Sequence, residues 1–158
     1  MSEPESRAQD LFGKYSDMLK VRSARWFFEE GSKWDRRKIS KFLRYFCVPM
    51  KEEETVALLD TTLFRTAKEG MLFVKKGIIV KEPLNRLYYL EYSKIQRAEV
   101  REKYNDAGHL TESRTVICFK DGTERNVFDY YVRKNFFVEY VNEAAKIFAE
   151  QKGQGLLS

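Results

Sequence analysis

The sequence holds little proline, glycine, cysteine or histidine: 3 Pro, 8 Gly, 2 Cys and 1 His among 158 residues. So few proline and glycine residues exclude a collagen-like chain and argue against a linker-rich one. No stretch approaches the roughly 18 uncharged apolar residues that a membrane-spanning helix needs. The acidic, polar start at residues 1–5 is unlike a secretory signal. We therefore expect a cytoplasmic protein.

The residues that commonly carry catalysis are also scarce. Cys47 and Cys118 lie far apart among aromatic neighbours, which predicts buried thiols in a reducing cytosol. His109 lies in a loop sequence, and a lone imidazole is poor material for a nucleophile–base pair or a zinc site. The motifs of nucleotide-binding loops and zinc proteases are missing. We expect no catalytic residue, no metal site and no cofactor, and predict that the protein is not an enzyme.

Apolar residues make up 43% and aromatic residues 15% of the chain, enough for one buried core. Residues 5–48 have the spacing of two or three amphipathic helices, with a helix start at Ser32 and a stop at Pro49. Their apolar positions are Ala8, Leu11, Phe12, Tyr15, Met18 and Leu19, then Ile39, Phe42, Leu43, Phe46 and Cys47. An aromatic cluster of Trp26, Phe27, Phe28 and Trp34 is too large to leave in water. We expect it to be buried against the rest of the chain or against a second copy.

The pattern then changes to that of strands. Seven are predicted, at residues 55–62, 69–74, 78–82, 87–92, 96–104, 113–120 and 123–128. Lys75-Lys76-Gly77 and Asp121-Gly122 are predicted hairpin turns. A final helix over residues 130–150 is expected to begin at Asp129, to pack through Phe137, Val141, Ala144 and Phe148, and to end at Gly153. Because every connection is short, an antiparallel meander is favoured, and the fold class is α+β.

Several segments resemble the first half of small bacterial pleckstrin-homology-like (PH-like) domains. They are residues 58–64 (LLDTTLF), 67–73 (AKEGMLF) and 76–78 (KGI), and residues 92–95 (YSKI) fit the segment that follows. The resemblance covers about residues 52–150. It implies a seven-stranded antiparallel β-barrel or sandwich with a C-terminal capping helix, specifying a fold better than an activity. The chain would thus comprise a basic helical segment at 1–50, which that family does not require, and a PH-like domain at 51–158.

The net charge lies mostly in the first quarter of the chain. Residues 1–44 carry 11 basic and 7 acidic residues (11 − 7 = +4), whereas the whole chain carries 29 and 24 (29 − 24 = +5). This asymmetry indicates either an anionic partner or a solvated helical surface. Candidate anion-binding residues on the second helix are Arg36, Arg37, Lys41 and Arg44. The resemblance adds Arg65, Lys68, Lys75 and Lys76, because PH domains clamp phosphates near their first two strands, although Asp60 stands where a Lys would be expected.

Aromatic residues near the sheet edge and the last helix are too numerous for the interior of a small barrel. Tyr88, Tyr89, Tyr130 and Tyr131 are the candidates for a partner surface. PH-like barrels bind peptides by adding a strand or helix to the sheet. We therefore predict a non-catalytic adaptor of the bacterial cytosol that acts through protein–protein contacts, with homodimerisation left open. The alternative is a protein that binds nucleic acid or membrane phosphate through its basic helices.

Overall fold

The computed structural model describes residues 1–21, 24–62, 68–84, 87–127 and 132–157. Three helices and eight strands follow one another in the order α1 Glu3–Leu19, β1 Arg25–Phe28, α2 Lys33–Tyr45, β2 Thr55–Asp60, β3 Gly70–Val74, β4 Gly77–Lys81, β5 Leu87–Glu91, β6 Ile95–Tyr104, β7 Leu110–Phe119, β8 Glu124–Val127 and α3 Lys134–Leu157. The predicted α+β class is confirmed.

The described strands form two antiparallel sheets. Strands β1 to β5 lie side by side in sequence order in one sheet, and β6 to β8 form the other. Every predicted strand has a counterpart, and both predicted hairpin turns are present, with Gly122 at φ +89° between β7 and β8. The described strands do not close into a barrel, because no hydrogen-bonded ladder joins the two sheets among them.

Strand β1 corrects the prediction that residues 5–48 are entirely helical. Arg25–Phe28 pairs antiparallel with β2, with Phe27 opposite Leu58, and so adds an edge strand to the larger sheet. Three consecutive aromatic residues favour an extended backbone, where alternate side chains reach opposite faces. The two flanking helices were predicted correctly. Ser2 and Glu5 form a capping box at the start of α1, and Ser32 caps α2 by accepting from the backbone N–H of Asp35 at 3.1 Å.

The larger sheet is buried on both faces because its side chains alternate between two hydrophobic clusters. One face, through residues such as Leu59 and Phe73, joins α1, α3 and the smaller sheet in the main core. The other face, through Leu58 and Leu72, joins Phe42 and other residues of α2 in a second group that we call the α2 cluster. Its buried members are Phe27, Ile39, Phe42, Leu43, Leu58, Leu72, Val74 and Ile79. Helix α2 therefore covers the outer face of the sheet.

Helix α1 packs into the main core, which confirms the prediction that the N-terminal segment docks on the strands. The Phe12 ring lies 5.0 Å from that of Phe73 and 6.3 Å from that of Tyr140 on α3. Behind them, the hydroxyls of Tyr92 and Tyr140 are 2.6 Å apart in a fully buried pair. The predicted packing of α3 is confirmed as well, with Phe137, Val141 and Ala144 buried and Phe148 partly buried, all in contact with the main core.

Three local predictions were wrong. Trp34 and Phe28 are exposed, because position 34 faces away from the α2 cluster and Phe28 ends an edge strand. Cys47 is also exposed, because the chain takes a left-handed turn there (φ +51°) just after α2 ends; Cys118 is buried as predicted. Helix α3 continues past Gly153 and Gly155 to Leu157, and each glycine inside a helix costs only about 1 kcal/mol relative to alanine. Asp129, the predicted cap of α3, lies outside the described residues.

Candidate functional site: the cationic face of helix α2

The outward side of α2 follows from the helical repeat. Ile39, Phe42 and Leu43 are buried against the sheet, so with 3.6 residues per turn the opposite side collects every third or fourth residue from position 34 onward. These residues, which we call the α2 face, are Trp34, Arg37, Lys38, Lys41, Arg44 and Tyr45. All except the half-buried Lys38 are exposed. The spacing predicts that Arg36, Arg37, Lys41 and Arg44 lie on the exposed side of the helix, opposite Ile39, Phe42 and Phe46. All four cations are exposed, but only Arg37, Lys41 and Arg44 lie opposite the buried residues, because the helical repeat places Arg36 on the flank.

Each end of the α2 face carries an exposed aromatic ring with an ammonium group beside it. Trp34 is 53% exposed, and the Lys38 Nζ lies 4.8 Å from the centre of its ring. Tyr45 is 56% exposed, and the Lys68 Nζ lies 5.4 Å from its ring centre. Such cation–π contacts hold the ammonium groups near the rings without neutralising their charge. Lys68 precedes strand β3, so the fold brings one sequence-predicted cation of the strand region to the α2 face.

Three cations of the α2 face, Arg37, Lys41 and Arg44, have no ion-pair partner among the described carboxylates, although the Glu52 carboxylate accepts from the Ser40 hydroxyl of the same helix. Asp35 is the one acidic residue within α2, and it bonds the Ser32 Oγ at 2.8 Å and the Phe28 backbone N–H at 3.1 Å. In the described part of the chain, no carboxylate forms an ion pair with Arg37, Lys41 or Arg44. These three cations lie within about two turns of the helix, and no acidic residue stands between them in the sequence.

The remaining predicted cations do not join this face. Arg36 lies on the flank of α2; burial raises the pKa of Glu29, and the nearby Arg36 partly opposes that shift. Lys75 and Lys76 form the β3–β4 turn, at the opposite end of β3 from Lys68. The Lys76 Nζ lies 3.6 Å from a Glu5 carboxylate oxygen. The predicted residue Arg65 lies outside the described residues.

Of the predicted aromatic partner surface, Tyr89 is the one residue that is both described and exposed. The Tyr88 ring is covered by the Arg125 guanidinium at 4.2 Å, and its hydroxyl donates to Glu82 at 2.5 Å. Tyr89 is 41% exposed, and its partial burial, followed by the nearby Glu91 carboxylate, raises its pKa to about 12. Tyr130 and Tyr131 lie outside the described residues.

Sequence reasoning missed the role of Trp34, Lys38 and Tyr45 in this face. The aromatic composition of residues 26–34 predicts that Trp34 is buried, because large aromatic side chains are mostly buried. The signal that identifies it is its spacing, since Trp34, Lys38, Lys41 and Tyr45 recur at helical intervals opposite the apolar positions. The contact between Tyr45 and Lys68 depends on tertiary packing and has no local signal.

The described residues offer neither a metal cluster nor a membrane-spanning helix. Within the described ranges, no group of three or more His, Cys, Asp or Glu residues is placed to hold a metal ion. No helix in those ranges is both long and apolar enough to cross a membrane. His109 is exposed in the β6–β7 loop, where its backbone N–H donates to the Asn105 side chain at 2.9 Å.

Comparison with family models, with curated proteins and with solved structures finds no match to the chain.

Proposed function

We propose that the chain is a non-catalytic binding protein with a PH-like fold and that its α2 face engages an anionic surface. The observation that carries the proposal is that Arg37, Lys41 and Arg44, which form no ion pair with a carboxylate of the described residues, lie between exposed Trp34 and Tyr45. Phosphate-bearing surfaces, whether of nucleic acid or of lipid, are recognised by this combination of basic and aromatic side chains. The residues of the α2 face are cations and aromatic rings.

The strand order supports the PH-like part of the proposal. Four consecutive antiparallel strands, β2 to β5, are followed by three more, β6 to β8, and then by helix α3. Helix α3 packs along β6, where the Asn142 side chain accepts from the Ala98 N–H at 2.7 Å and donates to its carbonyl at 3.0 Å. Strand β1 and helix α2 are additions to that plan. The free thiols of Cys47 and Cys118 fit a reducing, cytoplasmic location.

The expected strength of binding follows from the number of charges. Each Lys or Arg near an anionic surface contributes about 1 kcal/mol. The four cations of the α2 face together with Lys68 therefore contribute about 5 kcal/mol, which corresponds to a Kd somewhat below millimolar. Binding should accordingly be reversible and should weaken steeply as salt is added.

The test compares two charge-reversed proteins of equal net charge. Lys41→Glu/Arg44→Glu changes the α2 face, and Arg133→Glu/Lys146→Glu changes two exposed cations of the α3 region. Binding of a labelled single-stranded oligonucleotide and of anionic vesicles is measured by anisotropy and co-sedimentation at 25 mM to 300 mM salt. We expect the first variant to lose at least tenfold in affinity and the second to bind nearly as the wild type. Equal losses in the two variants, or no binding at low salt, would reject the α2 face.

A protein partner remains the second candidate, and the observation that favours it is Tyr89. This ring is exposed on β5, which forms one end of the larger sheet, beside a recess of about 260 Å³ that Met1, Met50 and Lys75 help to line. PH-like domains bind peptides at sheet edges, so the resemblance supports an adaptor role there. Salt-tolerant co-purification with one protein, lost in Tyr89→Ser, would favour this function over the charge-driven one. Light scattering of the purified chain would show whether that partner is a second copy.

A further inference from the structure

The two exposed aromatic rings of the α2 face lie in line along the helix. Trp34 and Tyr45 both belong to α2 and are eleven residues apart, which is three turns plus about 20° of rotation and about 16 Å along the axis. The side chains are 53% and 56% exposed. The same helical repeat places Lys41 within about 20° of this line, and Arg37 and Arg44 to one side of it. Three cations therefore stand between two rings that the fold leaves open to solvent.

Trp34 also forms one wall of a shallow recess on this side of α2. The recess has a volume of about 480 Å³. Its lining residues are Trp34, Arg37, Lys38, Ser40, Lys41 and Arg44. The Lys38 Nζ lies over one face of the Trp34 ring at 4.8 Å, and the residue is still about half exposed. A recess with an aromatic wall and cationic sides suits a flat ring that is joined to phosphates.

Helix α2, all of whose residues are described, exposes no aliphatic side chain. Ile39 and Leu43, its two aliphatic residues, are buried against the sheet. Helices that bind at a membrane interface bury an apolar face among the acyl chains, and the apolar side of α2 is already covered. Stacking of a base needs only an accessible ring, and a row of phosphates needs only cations. The composition of the α2 face therefore favours nucleic acid over lipid.

The line of rings further favours a single strand over a duplex. The bases of a duplex are paired and stacked on one another, and they offer only their edges in the grooves. In a single strand every base has an accessible π-face that an aromatic side chain can stack on. The span of about 16 Å corresponds to at most about five nucleotides at 3.4 Å each. One short strand thus reaches both Trp34 and Tyr45.

We infer that the anionic ligand of the α2 face is single-stranded nucleic acid. Its bases stack on Trp34 and Tyr45, while its phosphates contact Arg37, Lys41 and Arg44. This inference rests on the proposed function and adds to it the class of ligand. Because every base has a π-face, binding should show little sequence preference. The rings and cations contact bases and phosphates, which DNA and RNA share, so both fit the site.

The test separates contacts to bases from contacts to phosphates. Fluorescence anisotropy is measured at 50 mM salt with a labelled oligothymidine of twelve nucleotides and with an abasic oligomer that has the same phosphates but no bases. Trp34→Leu removes the π-face at an exposed position, and Trp34→Phe keeps one. The matched control is Tyr104→Leu, which removes a ring that is 58% exposed at the end of β6 in the smaller sheet.

We expect the wild type to bind oligothymidine at least tenfold more tightly than the abasic oligomer. Trp34→Leu should lose about tenfold in affinity for oligothymidine and nothing for the abasic oligomer, because it removes a contact to a base alone. Trp34→Phe should lose less than threefold, and Tyr104→Leu should lose nothing. Oligouridine of the same length is measured in parallel, and the more tightly bound oligomer identifies DNA or RNA as the source of the ligand.

The possible results separate the inference from the proposed function. Equal wild-type affinity for oligothymidine and the abasic oligomer, or equal losses in Trp34→Leu and Tyr104→Leu, would overturn base stacking. Loss of the remaining binding in Lys41→Glu/Arg44→Glu would still uphold the α2 face. Binding of vesicles with 30% phosphatidylglycerol but not of either oligonucleotide would overturn nucleic acid as the ligand and leave the proposed function standing. Binding of neither ligand would overturn both.

Discussion

Helices α1 and α2 have similar amphipathic spacing, but they differ in whether their charged side chains have oppositely charged partners elsewhere in the fold. On α1, Arg7 forms an ion pair with Glu150 of α3 at 3.2 Å, and a Glu5 carboxylate oxygen lies 3.6 Å from the Lys76 Nζ. On α2, Arg37, Lys41 and Arg44 have no carboxylate partner in the described ranges. The comparison teaches that a basic helix becomes a candidate binding surface when its charges lack partners in the fold.

The two helices also differ in the core to which they contribute. Helix α1 lies within the main core, where the Phe12 ring lies near those of Trp26, Phe73 and Tyr140. Helix α2 covers the smaller α2 cluster on the outer face of the sheet. Helix α1 thus holds the two sheets and α3 together, whereas α2 shields one sheet face and presents cations on its other side.

Removing both helices should produce the largest loss of stability. A chain that begins at Lys51 lacks α1, β1 and α2, so Phe73 of the main core and Leu58 of the α2 cluster lose their cover. Because the lost burial involves several large side chains, each worth about 1.5–3 kcal/mol, we expect aggregation or loss of a cooperative thermal transition. Circular dichroism melting and size-exclusion chromatography measure this. A monomer as stable as the full chain would show that the helices are a separate tethered module.

A single substitution in the main core should produce the next largest loss of stability. Phe137 of α3 is fully buried, and replacing such a phenylalanine by alanine removes its transfer free energy and leaves a cavity. We expect Phe137→Ala to lower the free energy of unfolding by about 3–5 kcal/mol in urea denaturation. A loss well under 1 kcal/mol would place the side chain outside the core.

These structural predictions depend on parts of the fold that local sequence patterns describe well. The strands with continuous apolar runs, such as β3 and β4, are buried on both faces, and their hairpin turn has a local signal at Gly77. Strand β1 was missed because four residues are too few to show a period and its partner β2 is distant in the sequence. The contact between Lys68 and Tyr45 could not be predicted from the sequence either, because it depends on where α2 docks on the sheet.

We expect the smallest changes in the free energy of unfolding from replacing one exposed cation on each helix. Arg7→Glu breaks the ion pair with Glu150 and should lower the free energy of unfolding by a few tenths of a kcal/mol. Lys41→Glu relieves repulsion from Arg37 and Arg44, one turn away on either side, and should raise it by about 0.2–0.5 kcal/mol. Urea denaturation at low salt measures both. Destabilisation by Lys41→Glu would mean that the charge has a structural role, contrary to its use in binding.

The central claim, that the α2 face contacts the anionic ligand, is tested most directly by the fluorescence of Trp34. The chain has two tryptophans, so Trp26→Phe leaves Trp34 as the only residue that emits when excitation is selective for tryptophan. Its 53% exposure makes it accessible to acrylamide. Adding a single-stranded oligonucleotide at low salt should reduce quenching by acrylamide, and 300 mM salt should reverse this change. An oligonucleotide that binds the protein while the quenching of Trp34 stays unchanged would contradict the account.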